Sequence, residues 1–370
     1  MLIQLAAMGL LVALLPLTIV WVSSDTDKYR KLVWVTLFLT FDLIIFGAFT
    51  RLTDSGLGCP DWPGCYGHAN PLQAHADISA AETAMPTGPV TVLKAWIEMI
   101  HRYLAMSIGV LIVALMVIAW RKRMKSGARD MKFSPLFPTL LFVFVCVQGA
   151  FGAWTVTMKL QPVIVTIHLL LGMSLLALLT WFGARLSGHQ AVPASVTALR
   201  LPAMLALMLL VIQIALGGWV STNYAALACT DFPLCHGELF PHMDFANGFT
   251  LWRDLGKTAE GDFLPFPALT AIHWTHRVFA LVVVSLVAWV ALRAFKIDAL
   301  RKTARWLLII IVVQIAIGIS TVFLKLPLAL AVAHNGGAAL LMLLVVMLNY
   351  KLRITAVTSS NPADMRRHSA

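Results

Sequence analysis

Nine stretches of about 20 consecutive apolar residues dominate this 370-residue chain, at roughly 2–22, 32–50, 97–119, 136–157, 163–184, 202–221, 270–292, 305–324 and 329–350. A run of that length matches the hydrocarbon thickness of a bilayer, where a helix satisfies its own backbone polar groups. Only 12% of the residues are charged, against about a quarter in an ordinary soluble protein. A soluble enzyme, a secreted toxin and a disordered chain are excluded, and an all-α integral membrane protein of about nine helices is expected.

The formal charge of +11 does not point to nucleic acid, because the basic residues sit in short connections rather than on one surface. Twenty of the 28 Lys and Arg residues fall in alternate connections, 25–31, 121–132, 185–200 and 293–305, and in the tail 351–370. Six lie on the other side, and Arg102 and Arg277 lie inside spans. The positive-inside rule then puts the amino terminus outside and the carboxyl terminus in the cytoplasm. The two long loops, 51–96 and 222–269, then face outward. The first span lacks a basic leading segment and reads as an uncleaved helix, with a cleaved signal peptide as the alternative. Trp residues near span ends read as interface anchors.

The chain repeats itself. Cys59-Pro-Asp-Trp-Pro-Gly-Cys65 returns as Cys229-Thr-Asp-Phe-Pro-Leu-Cys235, and Gln148-Gly-Ala-Phe-Gly152 as Gln314-Ile-Ala-Ile-Gly318. Twenty residues beyond each Gln stands His168 or His334. Glu98-Met-Ile-His101-Arg102 returns as His273-Trp-Thr-His276-Arg277. A four-helix unit is therefore used twice. Because four is even, both copies cross in the same sense, as parallel bundles related by a pseudo-twofold axis along the membrane normal. The expected units are an extra helix and cytoplasmic loop at 1–31, a first bundle at 32–200, a second at 201–350 and a cytoplasmic tail at 351–370.

His101, His168, His276 and His334 occupy matched places on the second and fourth helix of each unit, about one turn inside the outer end. Ionisable groups within spans are expensive and usually functional. Two imidazoles per bundle can hold one haem by its axial positions. Zinc is a poorer fit, since the thiols lie in loops. Iron held by two histidines has no open position, so such a haem carries electrons or is itself altered at its edge. One turn before the ligand the halves differ: Glu98 stands where the second has His273. A carboxylate there can take a proton beside the porphyrin rim, or be a solvated residue at a helix start. Arg102 and Arg277 can reach a haem propionate or snorkel to the interface. Cys59 with Cys65 and Cys229 with Cys235 read as loop-closing disulfides, structural or redox-active. Cys146 reads as a small core residue, and the Gly and Ala residues near 149–153, 217–218 and 336–339 as sites of close helix approach.

The run Gly47-Ala-Phe-Thr-Arg-Leu-Thr-Asp-Ser-Gly-Leu-Gly-Cys-Pro-Asp-Trp-Pro-Gly-Cys-Tyr-Gly67, with Glu98-x-x-His101-Arg102, the duplicated cysteines, His168, His276 and His334, resembles the bacterial haem A synthase family over about residues 32–350. The resemblance implies an oxidoreductase that converts the C8 methyl group of haem O into the formyl group of haem A for cytochrome oxidase assembly. It implies His101 and His168 around the substrate haem, His276 and His334 on a haem b, and Glu98 as the catalytic acid residue. Implied partners are haem O synthase and the oxidase assembly machinery, with an unidentified electron acceptor. The extra first helix departs from the family plan. The alternatives are a dihaem b-type cytochrome exchanging electrons with quinone, a thiol–disulfide exchanger using the outer cysteines, and a transporter.

Overall fold

The computed structural model describes residues 1–126 and 134–354. Arg129, Lys132 and the tail beyond 354, with Arg366 and Arg367, lie outside the described residues. Among those described, the structure is helical, with three isolated β-bridges and no strand. The elements are α1 (Leu2–Val22), α2 (Lys28–Leu52), α3 (His75–Ala84), α4 (Val92–Ser126), α5 (Leu136–Thr157), α6 (Pro162–Leu186), α7 (Arg200–Thr222), α8 (Phe245–Gly248), α9 (Phe266–Phe295), α10 (Asp298–Phe323) and α11 (Leu328–Lys351). All but α3 and α8 are long and apolar enough to cross a membrane. The chain is thus an all-α, multi-pass membrane protein. The apolar pattern did not reveal α3 and α8, which are short helices within the two long loops.

Local chemistry sets the helix starts. Asp27 caps α2 by accepting from the Arg30 N–H at 3.1 Å. A proline stands in the first two positions of α6 and α9, where its missing N–H goes unmissed.

α2, α4, α5 and α6 pack in a closed cycle of neighbours, and α7, α9, α10 and α11 form a second. Between the cycles α2 meets α11, α6 meets α7 and α6 meets α11. These neighbour relations are unchanged when the halves are exchanged, as a twofold axis between them requires. The backbone repeats too: the eight described non-glycine residues with positive φ form four matched pairs, Asp54/Tyr224, Tyr66/His236, Lys159/Lys325 and Leu160/Leu326. Such conformations are uncommon outside glycine, so their recurrence marks a duplicated chain path.

Counterpart positions also touch across the join. Arg51 donates to the Ser221 carbonyl at 2.8 Å and to the Tyr224 hydroxyl at 3.0 Å, and that hydroxyl donates to Asp54 at 2.7 Å. α1 stands outside both cycles and packs along α4 with lesser contact to α2. Its buried face, Leu5, Gly9, Ala13, Pro16 and Val20, recurs every three or four residues. A Cβ on Gly9 would come within 2.9 Å of the Met106 Cβ, so the close approach requires a glycine. Leu5 shares a cluster with Cys59, Cys65, Met99 and Tyr103, which places the start of α1 against the first disulfide loop.

Candidate haem-binding site

The four histidines occupy equivalent seats. His101 on α4 faces Gly47 on α2, and His276 on α9 faces Gly217 on α7. His168 on α6 faces Gly152 on α5, and His334 on α11 faces Gly318 on α10. A Cβ on any of these glycines would come within 3.0–3.2 Å of the imidazole. All four histidines are half-buried. His101 interacts electrostatically with His168, and His276 with His334, so the rings form two pairs, one per half.

His101 and His276 sit deeper along their helices than the apolar pattern implied, because α4 and α9 begin several residues before the uninterrupted apolar runs. His101 is nine residues into α4 and His276 ten into α9, between two and three turns rather than one.

A glutamine buttresses three of the four. Gln148 donates to the His168 carbonyl at 3.1 Å, Gln314 to the His334 carbonyl at 2.9 Å and Gln213 to the His276 carbonyl at 3.1 Å. A Cβ on Gly337 would lie 2.0 Å from the Gln314 Oε1, so any side chain there would displace that amide. Gln213 and the role of Gly47 were not apparent from the sequence. The signal for Gly47 was available in the repeat offset, which aligns it with Gly217.

The residues fit a haem in each half. Among the described residues the Nδ1 atoms of His168 and His334 and the Oε1 atoms of Gln148, Gln213 and Gln314 are buried without a hydrogen-bond partner, so each site holds polar atoms that a bound group or water would satisfy. Glycine opposite each ring lets the imidazole lie against the neighbouring helix backbone. Among the described residues no group of three or more His, Cys, Asp or Glu is placed to hold a metal ion. Replacing Gly152 with Ala is expected to displace His168 by a few tenths of an ångström and lower haem retention in the first half several-fold. Gly149→Ala, on the same helix with nothing within 4 Å of the new Cβ, is the control. It should leave haem content unchanged and raise helix stability slightly. The absorption spectrum of each purified variant reads this directly.

The disulfide loops lie over the ligand helices and are tied to them alike. Both disulfides form, Cys59–Cys65 and Cys229–Cys235. In the first loop the Asp61 carboxylate accepts from the Tyr66 and Gly67 N–H groups at 2.6 and 2.8 Å, and Asp231 does the same with His236 and Gly237 at 2.8 and 2.9 Å. The Gly237 N–H, then that of His236, holds the Asp231 carboxyl below the usual carboxylate range.

Beneath the first loop the Cys59 N–H donates to Glu98 Oε2 at 2.8 Å, while Arg102 pairs with Glu98 Oε1 and donates to the Pro63 and Gly64 carbonyls. Beneath the second the Cys229 N–H donates to His273 Nδ1 at 3.2 Å. Arg277 reaches His273 Nε2 at 3.2 Å and donates to the Asp231, Leu234 and Cys229 carbonyls. One scaffold thus carries a carboxylate in one half and an imidazole in the other.

Three expectations change. Glu98 is only 4% exposed, not a solvated helix start. Arg102 and Arg277 do not snorkel to the interface; the carbonyls of a folded loop draw each guanidinium beneath it. Cys146 is exposed on α5 rather than a small core residue, because a uniformly apolar span carries no signal of which face meets lipid.

Residues 30–346 match the family described as Cytochrome oxidase assembly protein, COX15-CtaA. The match begins after α1. A curated protein of Shewanella oneidensis named Heme A synthase is 42% identical over 87% of this chain and 97% of its own length. One from Rhizorhabdus wittichii with the same name is 30% identical over 82% of this chain and 88% of its own. A third, from Mesorhizobium japonicum, is 28% identical over 87% and 91%.

Proposed function

The chain belongs to the haem A synthase family, and we propose that it oxidises the C8 methyl group of haem O to the formyl group of haem A, holding the substrate in the first half and a haem b in the second. The observation that carries the division of labour is the substitution within the shared scaffold: Glu98 beneath the first loop, His273 beneath the second. Turning a methyl into a formyl group adds one oxygen atom and, with water as its source, releases four electrons to the acceptor and four protons at the porphyrin edge (–CH3 + H2O → –CHO + 4 H⁺ + 4 e⁻). A base beside the ring is needed only where that chemistry occurs.

His101 and His168 would hold the substrate by its iron and thereby fix where its edge lies. His276 and His334 would hold haem b, which supplies a one-electron centre on the route to an acceptor. Glu98 already accepts one bond at each oxygen, and a carboxylate has about four lone-pair positions. It therefore keeps room to take a proton at Oε1 or Oε2 while Cys59 and Arg102 hold it still, the pre-organisation that makes a positioned base effective. Arg102 and Arg277 would lock each loop to its ligand helix. The orientation follows the basic connections: a bacterial inner membrane, amino terminus and disulfide loops in the periplasm, carboxyl terminus in the cytoplasm. Haem O synthase would deliver the substrate, and the oxidase assembly machinery would take the product.

The test is to extract the non-covalent haem from detergent-purified protein and identify each species by chromatography and mass. Haem b together with haem O or haem A is the expected result. Two haem b per chain and no other haem would instead support the electron-transfer cytochrome.

The loops predict an asymmetry. Cys59→Ser frees the loop whose N–H holds Glu98, whereas Cys229→Ser frees one that holds only His273. Haem A formed per folded molecule is expected to fall at least several-fold further in Cys59→Ser. Equal losses would mean that both loops act only as staples.

A further inference from the structure

At the end of the molecule opposite the disulfide loops, a cleft of about 640 Å³ opens between α2 and α6 of the first half and α10 and α11 of the second. We propose that it binds the phosphate headgroup of an anionic phospholipid, with the acyl chains running inward along α11.

The charge on the cleft is unbalanced. Lys31, Lys302 and Lys351 all line it, with Arg30. The carboxylate among its lining residues, Asp25, is taken by Arg30 at 3.6 Å. Lys351 donates to the Thr303 hydroxyl at 2.9 Å, a neutral partner. The side chains of Lys31 and Lys302 have no partner among the described residues. Ammonium groups gathered from three helices without a counter-charge repel one another, and a bound anion removes that repulsion.

The arrangement along each helix selects an amphiphile over a small anion. On α2, Trp34 stands one turn deeper than Lys31. On α10, Trp306 stands one turn deeper than Lys302. On α11, which ends at this face, Met347 and then Leu343 lie one and two turns deeper than Lys351. Each helix therefore presents ammonium first, then indole or aliphatic carbon. That is the order of phosphate, glycerol and acyl chain in a phospholipid, and indole rings favour the middle layer. The volume is that of a small-molecule site. Basic clefts between spanning helices are a recurrent form of lipid-headgroup recognition. Because the cleft joins the two halves, a lipid seated there also holds them together at the end that lacks the Arg51–Tyr224–Asp54 contacts.

The test uses the full-length protein in mild detergent, with thermal stability titrated against phosphatidylglycerol, phosphatidylcholine and inorganic phosphate, and retained lipid weighed by native mass spectrometry. Phosphatidylglycerol is expected to bind and stabilise well ahead of phosphatidylcholine. Lys31→Gln with Lys302→Gln leaves the Lys351–Thr303 bond in place and is expected to weaken that binding about 25-fold, roughly fivefold per lysine. Arg121→Gln with Lys125→Gln, at the end of α4 and away from the cleft, should leave it unchanged. No preference for the anionic lipid, or an undiminished preference in the Lys31/Lys302 variant, overturns the site. Equal stabilisation by inorganic phosphate overturns its assignment to a lipid.

Discussion

Glu98→Gln is expected to lower haem A formation by about 100- to 10,000-fold, the range a positioned general base contributes, with haem O or a partly oxidised haem accumulating in the first half. The amide keeps the size of the side chain and can still accept from the Cys59 N–H, but it no longer takes a proton and leaves Arg102 without its ion partner. That second consequence can destabilise the loop, since breaking a buried pair leaves an uncompensated charge. The second half provides the control, because its loop is anchored by His273 and Arg277 in the same geometry. Glu98→His reproduces that pair and should keep the first loop folded, with haem retained at His101 and His168, while haem A formation stays low. If Glu98→His turns over at a wild-type rate, Glu98 is only a loop anchor and its assignment as the base is wrong.

His276→Ala is expected to strip haem b from the second half and to bring haem A formation to background, while haem O remains bound in the first. Loss of an axial ligand should exceed the roughly 10- to 100-fold in affinity that follows loss of an outer-shell partner. His101→Ala should do the reverse, emptying the first half and sparing haem b. Haem extraction from the two variants separates these outcomes. If either substitution releases both haems equally, the histidines do not act as one pair per half.

Much of this architecture is visible in the chain because the bilayer permits few alternatives. A run of 20 apolar residues must be helical, so the spans could be placed before any tertiary contact was known. The duplicated landmarks singled out four histidines and two cysteine pairs, and the offset of Cys59 from Cys229 aligned Gly47 with Gly217 without showing what either glycine faces. Gln213 escaped notice because its aligned position in the first half is Leu43, so the repeat did not mark it. α3 and α8 were missed because short helices inside long polar loops carry no apolar period.

By itself, then, the sequence determined the helical class, the number of spans, the duplication and the identities of the four matched histidines and the paired cysteines. Each follows from local composition or from internal comparison of the chain with itself. Only the tertiary structure decided that Glu98 is buried, that both arginines turn under the loops, that a glycine faces each of the four span histidines, and that three lysines from α2, α10 and α11 converge on one cleft. Those facts depend on which face of each helix meets which neighbour. Spans that are apolar all round leave that choice to packing, because in lipid there is no hydrophobic difference between faces to record it.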